Sequence, residues 1–176
     1  ERETHRNTTW QQARFEVCHH KWVDMAETDG GIALINDSKY GVGLLENSMS
    51  LSLLRATIRP DVTSDLGHHE FSYMIYPHTE DFVKAEINNI AFEYNIPICK
   101  ADLSCKSLFD GLYMQTMKMS EKGDMVVVRL SEQNGKRGRI KLEKKVKLLN
   151  FLEDVEGETY VIEYKPFEIL TVGIEK

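Results

Sequence analysis

Short apolar runs alternate with polar, glycine-punctuated breaks along the chain, and most of the runs carry the period of a β-strand. In Met49-Ser50-Leu51-Ser52-Leu53 apolar residues alternate with serines, the two-residue period of a strand buried on one face. Ile32-Ala33-Leu34-Ile35 is continuously apolar, as expected of a strand covered on both faces. Phe15-Glu16-Val17 begins another strand that continues towards Trp22-Val23, and the aromatic stretch over 71–76 is a further one that Pro77 ends. Glu46-Asn47-Ser48, between runs at 42–45 and 49–54, predicts a hairpin, and 60–67 reads as loop. Residues 1–12 read as a polar connector.

A single helix is predicted, over 79–94. Val83, Ile87, Ile90, Ala91 and Tyr94 form one apolar stripe at helical spacing. Glu80 and Asp81 suit its positive N-terminal end, and Asn95 with Pro97 supplies a stop. Beyond it, strand-like runs return at 112–119, 125–130, 138–142, 146–151, 159–164 and 167–172. The turn signals Gly123-Asp124, Asn134-Gly135 and Glu156-Gly157 separate several of them. Short strands at this spacing predict a mainly β, antiparallel sandwich.

One residue breaks the pattern. Extending the two-residue period places Arg55 on the face of Met49, Leu51 and Leu53, and a guanidinium at the end of an apolar face must reach solvent, a carboxylate or a cleft.

Composition narrows the classes. The chain has 176 residues, 41% of them hydrophobic and 28% charged, with a net charge of −6 and a pI near 5.6. That acidity argues against nucleic-acid binding. The basic cluster Lys136-Arg137-Gly138-Arg139, followed by Lys141, Lys144, Lys145 and Lys147, reads as a solvated hairpin rather than a phosphate site. No apolar run reaches the length of about 18 residues that a membrane span needs, and no secretory signal opens the chain. It begins at Glu1 and reads as a segment of something longer. Cys18, Cys99 and Cys105, without C-x-x-C spacing, read as free thiols of a reducing compartment. His19-His20 and His68-His69 would point their rings to opposite faces if extended, a poor start for a shared metal site. Neither a G-x-S-x-G, a P-loop nor a dinucleotide motif occurs, and no catalytic carboxylate pair can be picked from spacing.

Several stretches nevertheless fall into a familiar order. Ala13-Arg14-Phe15-Glu16-Val17, His20-Lys21-Trp22, Leu34-Ile35-Asn36-Asp37-Ser38-Lys39-Tyr40-Gly41, Leu51-Ser52-Leu53-Leu54-Arg55-Ala56, Pro60-Asp61, Gly67-His68 and Tyr76-Pro77-His78 follow one another. Farther on come Arg129-Leu130, Glu132, Gly135 and Pro166-Phe167-Glu168-Ile169 with Thr171. Together they resemble the C-terminal region of glycoside hydrolase family 38 α-mannosidases, of the cytosolic and bacterial branch.

The resemblance implies the later part of a large β-sandwich at 1–98 (part of a supersandwich), closed by the single connecting helix. A smaller C-terminal β-sandwich follows at 99–176. It implies retaining hydrolysis of terminal α-mannosides in glycans by catalytic carboxylates aided by zinc or another divalent metal. All of those groups would lie in an absent N-terminal catalytic domain, so this fragment would hold no catalytic residue and no metal and would be inactive alone. The implied partners are that domain and a mannose-containing glycan, without nucleic acid or membrane, in the cytoplasm. A homo-oligomer is left open.

In the family, the segments matching Asp37 to Gly41 and Leu53 to Ala56 approach the substrate cleft. Arg55, Tyr40 and Asp37 are therefore the cleft candidates. The structural alternative is an ion pair of Arg55 with Asp61 or Asp65. A stand-alone carbohydrate-binding or structural sandwich is the competing reading, and it calls for a shallow groove lined by Trp22, Tyr73 or Tyr76.

Overall fold

A computed structural model describes residues 4, 6–96 and 108–175. Pro97, Cys99, Cys105 and the expected 98/99 boundary lie outside the described residues. The chain divides into two compact units, Glu1–Lys100 and Ala101–Lys176.

The first unit carries two antiparallel three-stranded sheets. One has the order β1 (Val17–Cys18), β4 (Gly41–Leu45), β5 (Ser48–Leu51); the other has β2 (Trp22–Glu27), β3 (Gly30–Asn36), β6 (Tyr73–His78). The β2–β3 hairpin turns through Gly30, whose φ of +142° is open to glycine and costly to other residues. Gly31 beside it lets the two backbones close together. A Cβ there would sit 2.5 Å from the Met25 carbonyl oxygen and 2.8 Å from the Ala26 Cα. Gly31→Ala is expected to lower unfolding stability by about 2 kcal/mol, the cost of overpacking a rigid contact. An unchanged urea midpoint would show that the strands part freely.

The apolar run of β3 is covered on both faces over 33–35, as its continuity predicts, whereas Ile32 at its start is exposed. Ala33, Leu34, Ile35 and Asn36 are all buried. The register aligns Trp22, Ile35 and Met74 on one face, with Asp24, Ala33 and Tyr76 in the next row. Helix α2 (Ile87–Asn95) packs on that face through its buried Ile87 and Ala91, and the Trp22 Nε1–H donates to Asn88 Oδ1 at 2.8 Å. Full burial of a side chain the size of Ile87 contributes about 1.5–3 kcal/mol.

Four details differ from the sequence-based expectations. The helix begins at Ile87, not near 79, because Glu86 adopts a left-handed φ of 55° that breaks the helical path. The preceding turns are instead held by Asp81, whose Oδ1 accepts the N–H groups of Val83 and Lys84. A second helix, α1 (Thr9–Gln12), occupies the supposed connector, closed by a reciprocal cap between Thr8 and Gln11. Strand β6 runs through Pro77 to His78, because β6 pairs only with β3 and a sheet edge tolerates the missing N–H. Finally, β5 stops at Leu51, so the alternation does not carry on to Arg55 as strand.

The second unit is one antiparallel five-stranded sheet. Its order is β10 (Val155–Tyr164), β9 (Gly138–Leu149), β11 (Ile169–Glu175), β8 (Met125–Ser131), β7 (Tyr113–Met119). The runs at 138–142 and 146–151, distinct in sequence, join into the single long β9. Its inner half pairs with both β10 and β11, its outer half with β10 alone. Between them, residues 142–145 of β9 stand against Tyr160 only, an irregularity of the kind that bends a ladder sharply. The outer half thus folds over the sheet, and Ile162 joins the same buried cluster as Val128, Leu130, Val146 and Val172.

Candidate functional site

Asp37 follows β3, and its carboxylate holds the loop that leads to Tyr40. Oδ1 accepts the Ser38 hydroxyl at 2.8 Å, and Oδ2 accepts the Ser72 N–H at 3.0 Å and the Ser72 hydroxyl at 2.7 Å. These bonds, the Ser72 hydroxyl foremost, hold the Asp37 carboxyl below its ordinary range. Beneath it lies Asn36, buried, whose Oδ1 accepts the Lys39 N–H at 2.7 Å. That bond fixes the amide orientation, so Asn36 Nδ2 donates to His19 Nε2 at 2.7 Å. Burial pushes the His19 imidazole to a lower pKa, consistent with the neutral, accepting form. His19 Nδ1 is buried without a partner among the described residues.

A cleft of about 320 Å³ opens above this network, lined by His20, Lys21, Asn36, Asp37, Tyr40 and Asn95. His20 packs edge-on to the exposed Tyr40 ring at 5.3 Å. Asp37 and Tyr40 therefore share one cleft.

Arg55 belongs to a different place. Its side chain is 74% exposed, and its NH2 group lies 2.9 Å from Glu16 Oε2. The other carboxylate oxygen of Glu16 accepts the Ser52 hydroxyl. The expected partners are otherwise engaged: Asp61 Oδ1 accepts the Thr63 N–H and hydroxyl, and Asp65 Oδ2 accepts the Ala56 N–H at 2.5 Å. The ion pair with Asp61 or Asp65 is thus replaced by one with Glu16. The physical reason is register. β1 lies against β4, and the Ser52 N–H bonds to the Gly41 carbonyl, so Glu16 and Ser52 meet across the glycine. Even a Cβ at Gly41 would lie only 3.6 Å from Glu16 Oε2. Beside Glu16 an open trough of about 350 Å³ is lined by Ser48, Ser50, Ser52, Arg6 and Phe15. An exposed ion pair of this kind contributes at most about 1 kcal/mol, so its effect lies in aiming the guanidinium rather than in stability.

Sequence reasoning missed Glu16, 39 positions from its partner. Its only signal was an acidic residue between Phe15 and Val17 in a strand-like run.

Among the described residues no three His, Cys, Asp or Glu side chains converge to hold a metal ion. His19 turns inward to Asn36 and His20 outward to Tyr40; His68 faces Glu70 at 3.9 Å in solvent, and His69 bonds to the Asp65 carbonyl.

Comparison with known proteins places this architecture. Residues 1–63 match the description "Glycosyl hydrolases family 38 C-terminal domain", and residues 111–172 match "Glycosyl hydrolases family 38 C-terminal beta sandwich domain". The human protein "Alpha-mannosidase 2C1" is 38% identical over 148 residues, covering 77% of this chain and 14% of that one. "Alpha-mannosidase G" of Dictyostelium discoideum is 39% identical over the same length and shares of each chain. The solved structure of an alpha-mannosidase from Enterococcus faecalis V583 superposes with a TM-score of 0.72 at 18% identity, covering 99% of this chain and 23% of that one.

Fold and matches together define the C-terminal β-region of a glycosyl hydrolase. The chain belongs to glycosyl hydrolase family 38, as its C-terminal region. It spans about 14% of the length of the curated relatives named above.

Proposed function

We propose that this chain is the non-catalytic C-terminal region of a retaining α-mannosidase acting on terminal α-mannosides in glycans. In this reading it buttresses the substrate cleft of a catalytic domain that precedes it in the same polypeptide. Arg55 is the residue turned towards that cleft. The observation that carries the reading is the presentation of its guanidinium. Glu16 is its only partner among the described residues, reached through NH2, which leaves the other N–H donors free for a sugar hydroxyl or a neighbouring carboxylate. The carboxylates and the zinc or other divalent ion used for the chemistry belong to the upstream domain. The described residues here do not fit such an ion, and no chemical step runs through them. Asp37 and Tyr40 shape a second, polar cleft on the same unit and are proposed to face the substrate side. We place the protein in the cytoplasm, a reading supported by the exposed free thiol of Cys18. Among the described residues no helix is long and apolar enough to cross a membrane.

The stand-alone lectin-like reading draws less support. Tyr73 and Tyr76 are an odd number of positions apart on β6 and point to opposite faces, while Trp22 lies under α2 bonded to Asn88. The three aromatics line no shared groove.

In the longer enzyme, Arg55→Ala is expected to lower turnover of an aryl α-mannoside at least about tenfold, roughly 1.4 kcal/mol of barrier. The melting temperature should stay nearly unchanged, because an exposed ion pair stabilises little. Normal turnover with a lowered melting temperature would assign Arg55 to structure alone.

A further inference from the structure

The trough beside Glu16 is built on one face of the β1-β4-β5 sheet. Alternation along β5 sends Ser48 and Ser50 to that face and the half-buried Met49 and Leu51 to the other. The register sets Ser50 beside Gly43, and the Ser52 N–H bonds to the Gly41 carbonyl. The middle strand therefore offers bare backbone where it would otherwise offer side chains. Neither glycine has a positive φ, so the backbone does not call for glycine at either position. A Cβ would come no closer than 3.3 Å to a neighbour, the Phe15 carbonyl oxygen at Gly43 and the Ser52 Cβ at Gly41. Glycine weakens a strand interior and marks a place where a ligand or another backbone comes close. Here it keeps open a trough of about 350 Å³, within the usual range of small-molecule sites.

The walls supply the chemistry. The hydroxyls of Ser48 and Ser50 have no partner among the described residues, and each can both donate and accept. Opposite them Phe15 is 71% exposed, with the Arg6 guanidinium 5.6 Å over its ring. Arg6 donates from one terminal nitrogen, to the carbonyls of Leu44 and Phe15, and its other N–H groups have no partner among the described residues. Of the lining residues only Arg6 and Glu16 carry charge, of opposite sign, so the trough has no surplus of cations to select a phosphate or a nucleic acid. A neutral sugar fits: its C–H face packs on an aromatic ring while its hydroxyls bond to serines, a carboxylate and a guanidinium.

We infer that the trough is a subsite for a neutral oligosaccharide, and that it holds mannose units beyond the one at the reacting bond. This rests on the reading above that the substrate is a mannose-containing glycan that reaches Arg55. Continuity assigns the occupant. Ser52 and Arg55 bond to the two oxygens of the same Glu16 carboxylate, so the trough starts where the guanidinium is aimed. From Ser52 to Ser48 it runs about 13 Å along β5, enough for more than one sugar.

The test uses the longer protein and a thio-linked mannotriose, whose sulfur bridges resist hydrolysis. Ser50→Cys is reacted with a maleimide under native conditions, and the rate at position 50 is read by peptide mass spectrometry. With the trisaccharide at about ten times its Kd the rate is expected to fall about tenfold, the share of sites left free. Lys122→Cys, in an exposed polar turn, should be unaffected by the sugar. An unchanged rate at position 50 would overturn the inference. A thiol there that is inert without sugar would do the same, because protein would then fill the trough. By calorimetry, Ser48→Ala combined with Ser50→Ala should weaken trisaccharide binding about tenfold, as expected for two lost hydrogen bonds. Equal affinity in the two proteins, or no binding at all, would also overturn it. Neither readout uses turnover. Absent protection beside a successful Arg55→Ala turnover test strikes this inference alone, and the reverse result strikes only the reading of Arg55.

Discussion

Glu132→Ala is expected to cost the second unit about 3 kcal/mol or more, the loss of two backbone hydrogen bonds to a charged group at about 1.5–3 kcal/mol each. Glu132 is 2% exposed, just past the end of β8, yet it carries a carboxylate. Its Oε1 accepts the Asn134 N–H at 2.8 Å and its Oε2 the Phe167 N–H at 2.9 Å. The Glu132 N–H in turn bonds to the Glu168 carbonyl. The carboxylate thus ties the turn after β8 to the loop that enters β11. Burial alone would push its pKa up, but the backbone N–H groups of Phe167, Asn134, Lys136 and Gly135 outweigh it and hold the carboxyl below its ordinary range. Alanine would leave the part-buried Asn134 and Phe167 N–H groups without that acceptor, at about 1–3 kcal/mol each where water cannot enter. The pH signature has a definite sign. A depressed folded-state pKa means that the stabilisation is full above the unfolded value, near about 4.3, and is lost as pH falls through the folded value. Urea unfolding at pH 7 and at pH 3 should show the wild type losing more stability on acidification than Glu132→Gln does. Equal losses in the two proteins would show that the carboxylate is not the titrating anchor.

This anchor also shows what was legible in the sequence. Glu132, Gly135 and Phe167 entered the family resemblance as separate short motifs, and the structure makes them one contact, with the Phe167 ring 3.3 Å from where a Gly135 Cβ would lie. Period-two patterning located most of the strands because one-faced burial imposes it directly on side-chain order. It failed where tertiary pairing overrides local signals. β9 crosses a bend that looks like a gap in sequence, β6 keeps Pro77 because it is an edge strand, and α1 is held by a cap rather than by an apolar stripe. At the candidate site the alternation isolated Arg55 as anomalous. It had no means to find Glu16, since that pairing is set by the register of β1 on β4, and register is not written in either segment alone. The nearby aspartates were natural guesses, but each is satisfied within the turns of its own loop.

Asp24→Ala should be about as destabilising to the first unit, and through a group that responds to pH in the opposite direction. Asp24 and His78 lie on the α2-covered face of the β2-β3-β6 sheet, with side chains only 8% and 3% exposed. His78 Nε2 is 2.9 Å from Asp24 Oδ1, and His78 Nδ1 is 2.5 Å from the Glu80 carbonyl oxygen. Both ring nitrogens face acceptors, so both bonds are satisfied only by the imidazolium. Burial opposes that charge, but the Asp24 carboxylate, the Glu80 carbonyl and the nearby Asp81 charge together hold the His78 pKa above its ordinary value. The Tyr76 ring stacks on the imidazole at 6.5 Å. Removing the Asp24 carboxylate strands a buried cation or forces it to lose its proton, at about 3–5 kcal/mol. The sign follows from the raised pKa. His78 contributes its full stabilisation below the unfolded value, near about 6.5, and loses it as pH rises through the folded value. Wild-type stability should therefore decline from pH 6 towards pH 9, and His78→Gln, which cannot titrate, should flatten that decline while lowering stability at pH 6. The check is a set of urea unfolding curves across that range. A wild-type slope that survives His78→Gln would assign the pH dependence to other groups and leave the Asp24–His78 contact a neutral hydrogen bond.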